Sequence, residues 1–317
     1  MPVAIFLDSG GVINDNKLRA PQWVHHLGNF LPTTVLGGTP EIWGFANTEI
    51  VKTFFARWDE YMLQATEVAA AAQAKAKAHN DTIDLTTTED RSLNVYWIFE
   101  RIQLLAWIKA MIDVAADKVP GLAENVLPRL TDDDLFALAR SAHLYTLPKV
   151  KADFPGAVDT IRILGRSLKQ DHDKKRLFKL YTSSGDSIED LEYILGGLGV
   201  LKCFDGLYGS DRINCLKRSP LYYERVFRQV GIRVKKRDVS SEEEKEEEEE
   251  GYEEVVVVDD SVKALRWARH QGARTVLISD KEDLDLSLEG YSHIDHHLKA
   301  LSDLPALLES WRMQLEP

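Results

Sequence analysis

The chain has 317 residues, 44% of them hydrophobic, and a formal net charge of -12 at pH 7. That is enough apolar material for one large core or two modest ones, and the acidic balance excludes nucleic acid as a general partner, because phosphate backbones are held by basic surfaces. No apolar run approaches the roughly 20 residues of a membrane span, no basic-then-apolar leader opens the chain, and Cys203 and Cys215 form no CxxC pair, so a cytoplasmic protein with reduced thiols is expected.

In chain order, Val3 to Leu7 is an apolar run that stops abruptly at Asp8, followed by a turn through Gly10 and Gly11. A carboxylate at the carboxyl end of a strand stands where open α/β sheets bind ligands. Residues 16 to 149 then read almost wholly helical. Ile42 to Met62, Glu67 to Lys77, Leu93 to Ala115 and Asp132 to Ala142 carry apolar residues at spacings of three and four. A stretch that long is a domain rather than a loop. It holds Trp23, Trp43, Trp58, Trp97 and Trp107, five of the seven tryptophans, which are read as packing more readily than as a pocket lining. The alanine-rich Ala69 to Ala78 reads as an exposed or frayed helix.

From 150 onward the β-rich runs Leu177 to Tyr181, Val255 to Val258 and Thr275 to Ile278 alternate with helical patterns, which implies parallel strands with crossover helices. The fold class expected is therefore α/β: a Rossmann-like parallel sheet core, residues 1–15 and 150–317, with an inserted all-α domain at 16–149. Glu242 to Glu250, eight Glu and one Lys, reads as a solvated, disordered insertion at about 240–251. His293-Ile294-Asp295-His296-His297 invites a transition-metal reading, but its spacing favours an exposed loop leading to a helix from Leu301 to Met313.

Four elements carry chemistry. Asp8 can attack an electrophilic centre and form a covalent aspartyl intermediate. Thr182 ends an apolar strand before a Ser/Gly turn, where its hydroxyl and nearby backbone N–H groups can hold an anionic oxygen. Lys217 precedes Ser219-Pro220 and a helix, placing an ammonium to neutralise phosphate charge. Asp259 and Asp260 end a run of four valines; adjacent acids there are costly to keep ionised without a cation, and oxygen-only ligands suit Mg2+.

In this order the four elements resemble the haloacid dehalogenase-like (HAD) hydrolase superfamily, and the insertion point matches members with a large helical cap after the first motif. The resemblance implies Asp8 as nucleophile, Thr182 and Lys217 as catalytic partners, and Ser183, Gly11 and Asp15 as substrate-binding residues. It implies Mg2+ held by Asp8, Asp260 and the Gly10 carbonyl, with Asp259 in support.

The chain departs from the superfamily pattern at Arg218, where proline is commoner, and at two further positions. Phosphatases usually carry a second aspartate two residues after the nucleophile, where this chain has Gly10, and an Asp or Asn where it has Ala264. The expected function is a Mg2+-dependent phosphatase of a small organic phosphate. The alternative is a HAD fold with altered or lost hydrolysis: dehalogenase-like, prenyl-diphosphate-processing, or ligand- or protein-binding. The string Asp81 to Thr87 does not match the D-x-D-T-T pattern of cyclising members.

Overall fold

The computed structural model describes residues 3–79, 84–166, 177–234, 254–281 and 284–315; the acidic run and Asp81 to Ile83 lie outside them. The chain divides into two compact units. One comprises residues 1–16, 152–191 and 198–317, and the other residues 17–151 with 192–197.

The first unit is built on a five-stranded, all-parallel sheet of order β2-β1-β3-β4-β5, with β1 at Val3–Leu7, β2 at Phe178–Thr182, β3 at Val255–Asp259, β4 at Arg274–Ile278 and β5 at His296–Leu298. The expected α/β class and parallel sheet are present. Strands buried on both faces lose the polar alternation of half-exposed ones. All of Val255–Asp259 is buried, and each of its valines contributes on the order of 1.5–3 kcal/mol by leaving water.

On one face Ala4, Phe6, Val255 and Val257 pack with Tyr222, Tyr223, Val226 and Phe227 of α8 (Leu221–Val230) and Leu265 and Ala268 of α9 (Val262–His270). Phe6 stacks on Tyr181 at 5.0 Å between ring centroids. On the same unit α6 (Ala157–Arg166) packs on β2, with α10 (Leu304–Leu315) against α6.

The strand order carries the functional consequence. From β1 the chain crosses to β2 on one side and then to β3 on the other, so the direction of winding reverses at β1. The carboxyl ends flanking such a reversal leave a crevice between diverging connections, the general ligand position of open α/β sheets.

The second unit is helical: α1 (Asn16–Phe30, whose first residue lies in the first unit), α2 (Pro40–Ala56), α3 (Trp58–His79), α4 (Val95–Ala115) and α5 (Asp132–Thr146). α7 (Ile188–Gly197) is divided between the two units. Two tryptophans of the helical unit lie in its core. Trp43 is fully buried and donates to the Gly37 carbonyl at 2.7 Å, and Trp107 donates to Asn47 Oδ1 at 3.0 Å. Arg140 and Glu100 form a buried ion pair, with the guanidinium also over the Trp97 ring at 4.9 Å. Thr131 and Asp134 close a reciprocal capping box on α5.

Three sequence expectations are corrected. Ile42 to Met62 is not one helix, because α2 ends at Ala56 and α3 begins at Trp58; the apolar spacing continues through the break and conceals it. Glu67 to Lys77 is the later part of α3, and Ala69 within the alanine-rich stretch is buried rather than exposed. His296 and His297 belong to an edge strand, not a loop.

Candidate active site

The register of the central strands brings the first acid and its partners together. Leu7 pairs with Thr182 on one side and Val258 on the other, so the next residues, Asp8, Ser183 and Asp259, stand side by side where the strands end. Backbone bonds continue the ladder to that level, Asp8 N–H to the Val258 carbonyl at 3.1 Å and Ser183 N–H to the Leu7 carbonyl at 2.9 Å.

Lys217 Nζ lies 2.7 Å from Asp8 Oδ1 and 2.8 Å from Asp259 Oδ2, bridging two buried carboxylates. The Ser9 N–H also donates to Asp8 Oδ1 at 2.8 Å, so one oxygen of Asp8 is fixed while no hydrogen bond from a described residue engages Oδ2. Asp259 is fully buried and fully used: besides Lys217 it accepts from the Tyr223 hydroxyl at 2.8 Å and from the Ser261 N–H at 2.9 Å. Ser261 then caps α9 by accepting from the Ala264 N–H, and Ala264 itself is a buried core residue.

Asp8, Asp259 and Asp260 offer carboxylate oxygens all within 4.8 Å of one another. Among the described residues this is the only such grouping of three or more His, Cys, Asp or Glu side chains; Asp15 is not part of it. The late histidines have separate attachments instead, His293 to the Val262 carbonyl and His297 to Ser279.

The electrostatics follow from three acids sharing one ammonium. Burial pushes the Asp8 carboxyl up to about 8; Lys217 opposes the shift and the Asp259 charge reinforces it. Asp260, whose side chain reaches solvent, is pushed up to about 6 by partial burial and then by Asp259. Burial alone would lower Lys217, but Asp259 and Asp8 outweigh it and hold the ammonium charged. Carboxyls raised in this way are stabilised by further positive charge, and an all-oxygen donor set fits a hard divalent cation such as Mg2+.

The two glycines after Asp8 differ. Gly11 has φ +78°, and a Cβ there would lie 2.0 Å from Asp260 Oδ2, so the acid rests directly on the glycine. Gly10 is not in the left-handed region, and a Cβ on it would meet only the Asn16 carboxamide, at 3.7 Å.

Thr182, expected to hold an anionic oxygen, has its hydroxyl committed to the backbone of Tyr208, accepting from the N–H at 2.8 Å. The Ser183 hydroxyl is buried with no hydrogen-bond partner among the described residues, at the level of Asp8. Asp15 is tied through its N–H to the Ala152 carbonyl at 2.7 Å.

Residues that the sequence reading did not single out hold this arrangement, and three are on α8. Tyr223 reaches Asp259. Tyr222 donates to the Ser184 carbonyl at 2.8 Å, and Arg225 donates to the carbonyls of Ile213 and Asn214 at 3.1 and 2.6 Å, just before Lys217. Their common signal was the aromatic pair one turn after Ser219-Pro220, visible in the sequence as core alone.

No family model matches this sequence, and no curated protein matches it. Among solved structures the chain is similar to the L-2-haloacid dehalogenase from Xanthobacter autotrophicus, at 14% identity and TM-score 0.49 over 98% of this chain and 99% of that one. It is also similar to the 2-haloacid dehalogenase from Pseudomonas syringae pv. Tomato DC3000, at 16% identity and TM-score 0.49 over 98% and 100%. A third is the HAD-hydrolase YfnB from Bacillus subtilis, bound to magnesium, at 13% identity and TM-score 0.43 over 97% and 98%. Two are named haloacid dehalogenases and the third a HAD-hydrolase.

Proposed function

We propose that the chain is a HAD-like hydrolase, a Mg2+-dependent phosphatase of a small organic phosphate that works through an aspartyl phosphate on Asp8. The observation that carries this reading is the cluster of Asp8, Asp259 and Asp260 oxygens within 4.8 Å, bridged by a single lysine. Such a cluster is electrostatically incomplete without a cation and suited to a phosphoryl group once one is bound.

Asp8, Asp260 and the Gly10 carbonyl would hold Mg2+, with Asp259 in support; when bound, the ion shields the phosphate charge from the attacking carboxylate. Asp8 Oδ1 is held by Lys217 and Ser9, which directs the unengaged Oδ2 to the phosphorus. Lys217 balances charge on the transferred group. The Ser183 hydroxyl, unpartnered beside Asp8, binds a phosphoryl oxygen, while Thr182 holds the strand end in place. With Cys203 and Cys215 both free, we assign the cytosol as the compartment.

Phosphate release from p-nitrophenyl phosphate with Mg2+, measured beside Asp8→Asn, tests the assignment. Wild-type activity that the variant abolishes supports it, whereas no activity, or equal activity in both, refutes it. The lack of an acid at Gly10 favours a second reading, dehalogenation, since halide departs without a proton. Halide release from a 2-haloacid that survives a chelator would favour it.

A further inference from the structure

Resting on the phosphatase reading, we propose that the Asn16 carboxamide serves the leaving group in place of an acid, which restricts the substrate to phosphates whose leaving group departs as a stable anion, acyl phosphates foremost. Gly10 is two residues past the nucleophile, and neither backbone nor space accounts for the missing side chain there. Its φ is not positive, and a Cβ would make ordinary contacts, 3.7 Å from both Nδ2 and Oδ1 of Asn16. The next residue, Gly11, is the reverse case, with both φ and Asp260 forbidding a side chain.

The volume a side chain at 10 would grow into is thus bordered by the head of Asn16, the first residue of α1. Asn16 is exposed, and its carboxamide makes no hydrogen bond to any described residue. An amide offers two N–H donors and one acceptor, and it neither gives up nor takes a proton in the physiological range. It can therefore stabilise a departing oxygen and orient a water. It cannot protonate the one or deprotonate the other.

The chemistry balances without an acid only for certain substrates. Asp8 Oδ2 forms a bond to phosphorus as the bond from phosphorus to the acyl oxygen breaks. The electron pair leaves with the carboxylate, which accepts a hydrogen bond from Asn16 Nδ2. Water then attacks the phosphorus, the pair of the Asp8–phosphorus bond returns to Asp8, one water proton stays on the phosphate and the other passes to solvent. An alkoxide leaving group would need a proton that neither Gly10 nor Asn16 supplies, a deficit of typically 10²–10⁴-fold.

The test uses the full chain with Mg2+ and three probes: acetyl phosphate, p-nitrophenyl phosphate and glycerol phosphate. Wild type is expected to turn over the first two about 10²–10⁴-fold faster than the third. Asn16→Asp, nearly isosteric but ionisable, is expected to narrow that ratio at least tenfold and to add a pH limb to kcat. Gly10→Asp, whose Cβ would make only ordinary contacts, provides a second variant with the same expected outcome. Equal wild-type rates on all three probes, or both variants retaining the wild-type ratio and pH profile, overturn the inference. Asp8→Asn separates the levels: hydrolysis that depends on Asp8 but ignores leaving-group basicity refutes the Asn16 role alone, and hydrolysis independent of Asp8 refutes the phosphatase reading with it.

Discussion

The Tyr223 hydroxyl donates to Asp259 Oδ2 at 2.8 Å, the same oxygen that Lys217 Nζ approaches at 2.8 Å. The lysine that bridges to Asp8 is therefore positioned by an acid that is itself held by a tyrosine. Tyr223→Phe removes only that hydroxyl. Loss of the bond should cost about 1–3 kcal/mol of stability, and the freer Asp259 about 10- to 100-fold in activity. Thermal unfolding and phosphate-release rates on the same preparation check both.

Ser183 and Thr182 should separate function from stability. Ser183→Ala removes a hydroxyl with no partner, so activity should fall at least tenfold with the melting temperature nearly unchanged. Thr182→Val deprives the Tyr208 N–H of its acceptor and should cost roughly 1–3 kcal/mol. Melting temperature and kcat for the pair decide it; equal effects from both would contradict the assignment.

Adjacent glycines should respond oppositely to alanine. At Gly11 the methyl meets Asp260 Oδ2 and φ is +78°, so Gly11→Ala should lose on the order of 1–2 kcal/mol to backbone strain alone and weaken Mg2+ binding by displacing Asp260. Gly10→Ala should leave both within error. Calorimetric Mg2+ titration of the two variants distinguishes them.

The acidic cluster gives a pH dependence with a definite sign. Asp8 and Asp260 are raised in the folded protein to about 8 and about 6 from an ordinary 3.8. Between these limits the folded state binds more protons than the unfolded one, so their contribution is present at low pH and lost as pH rises through about 6 and then about 8. Metal-free protein should therefore become less stable from pH 5 to 8, by at most about 1.4 kcal/mol per pH unit for each proton. Mg2+ competes with those protons, so its stabilising increment should grow over the same range. Thermal unfolding across that range with and without Mg2+ reads both trends, and Asp8→Asn should remove the upper part of each.

What could be read from the sequence was local. Asp8, Lys217, Asp259 and Asp260 each sit where an apolar run stops or a helix starts, and such boundaries are written in neighbouring residues. Tyr223 was hidden because a tyrosine on the buried face of α8 looks like any other core aromatic until the register of β3 puts a carboxylate beneath it. Thr182 and Ser183 could not be ranked without knowing that Tyr208 occupies the threonine hydroxyl from 26 residues away. The break at Arg57 escaped for the opposite reason. Phe54, Trp58 and Tyr61 keep helical spacing across it, with Trp58 set edge-on to Phe99 at 5.1 Å, so periodicity gave no sign.

The placement of β1 between β2 and β3 also governs when the site can exist. The strand that bears Asp8 is synthesised before the helical unit, yet its neighbour β3 and the two acids at its end are made after the entire helical unit, β2 and α8. No nascent or truncated chain that stops before Asp260 carries the acid cluster, and until then the apolar strand Val3–Leu7 lacks a partner on one edge. The order of the strands thus ties any chemistry at Asp8 to completion of the fold, and makes shielding of that first strand a requirement throughout synthesis.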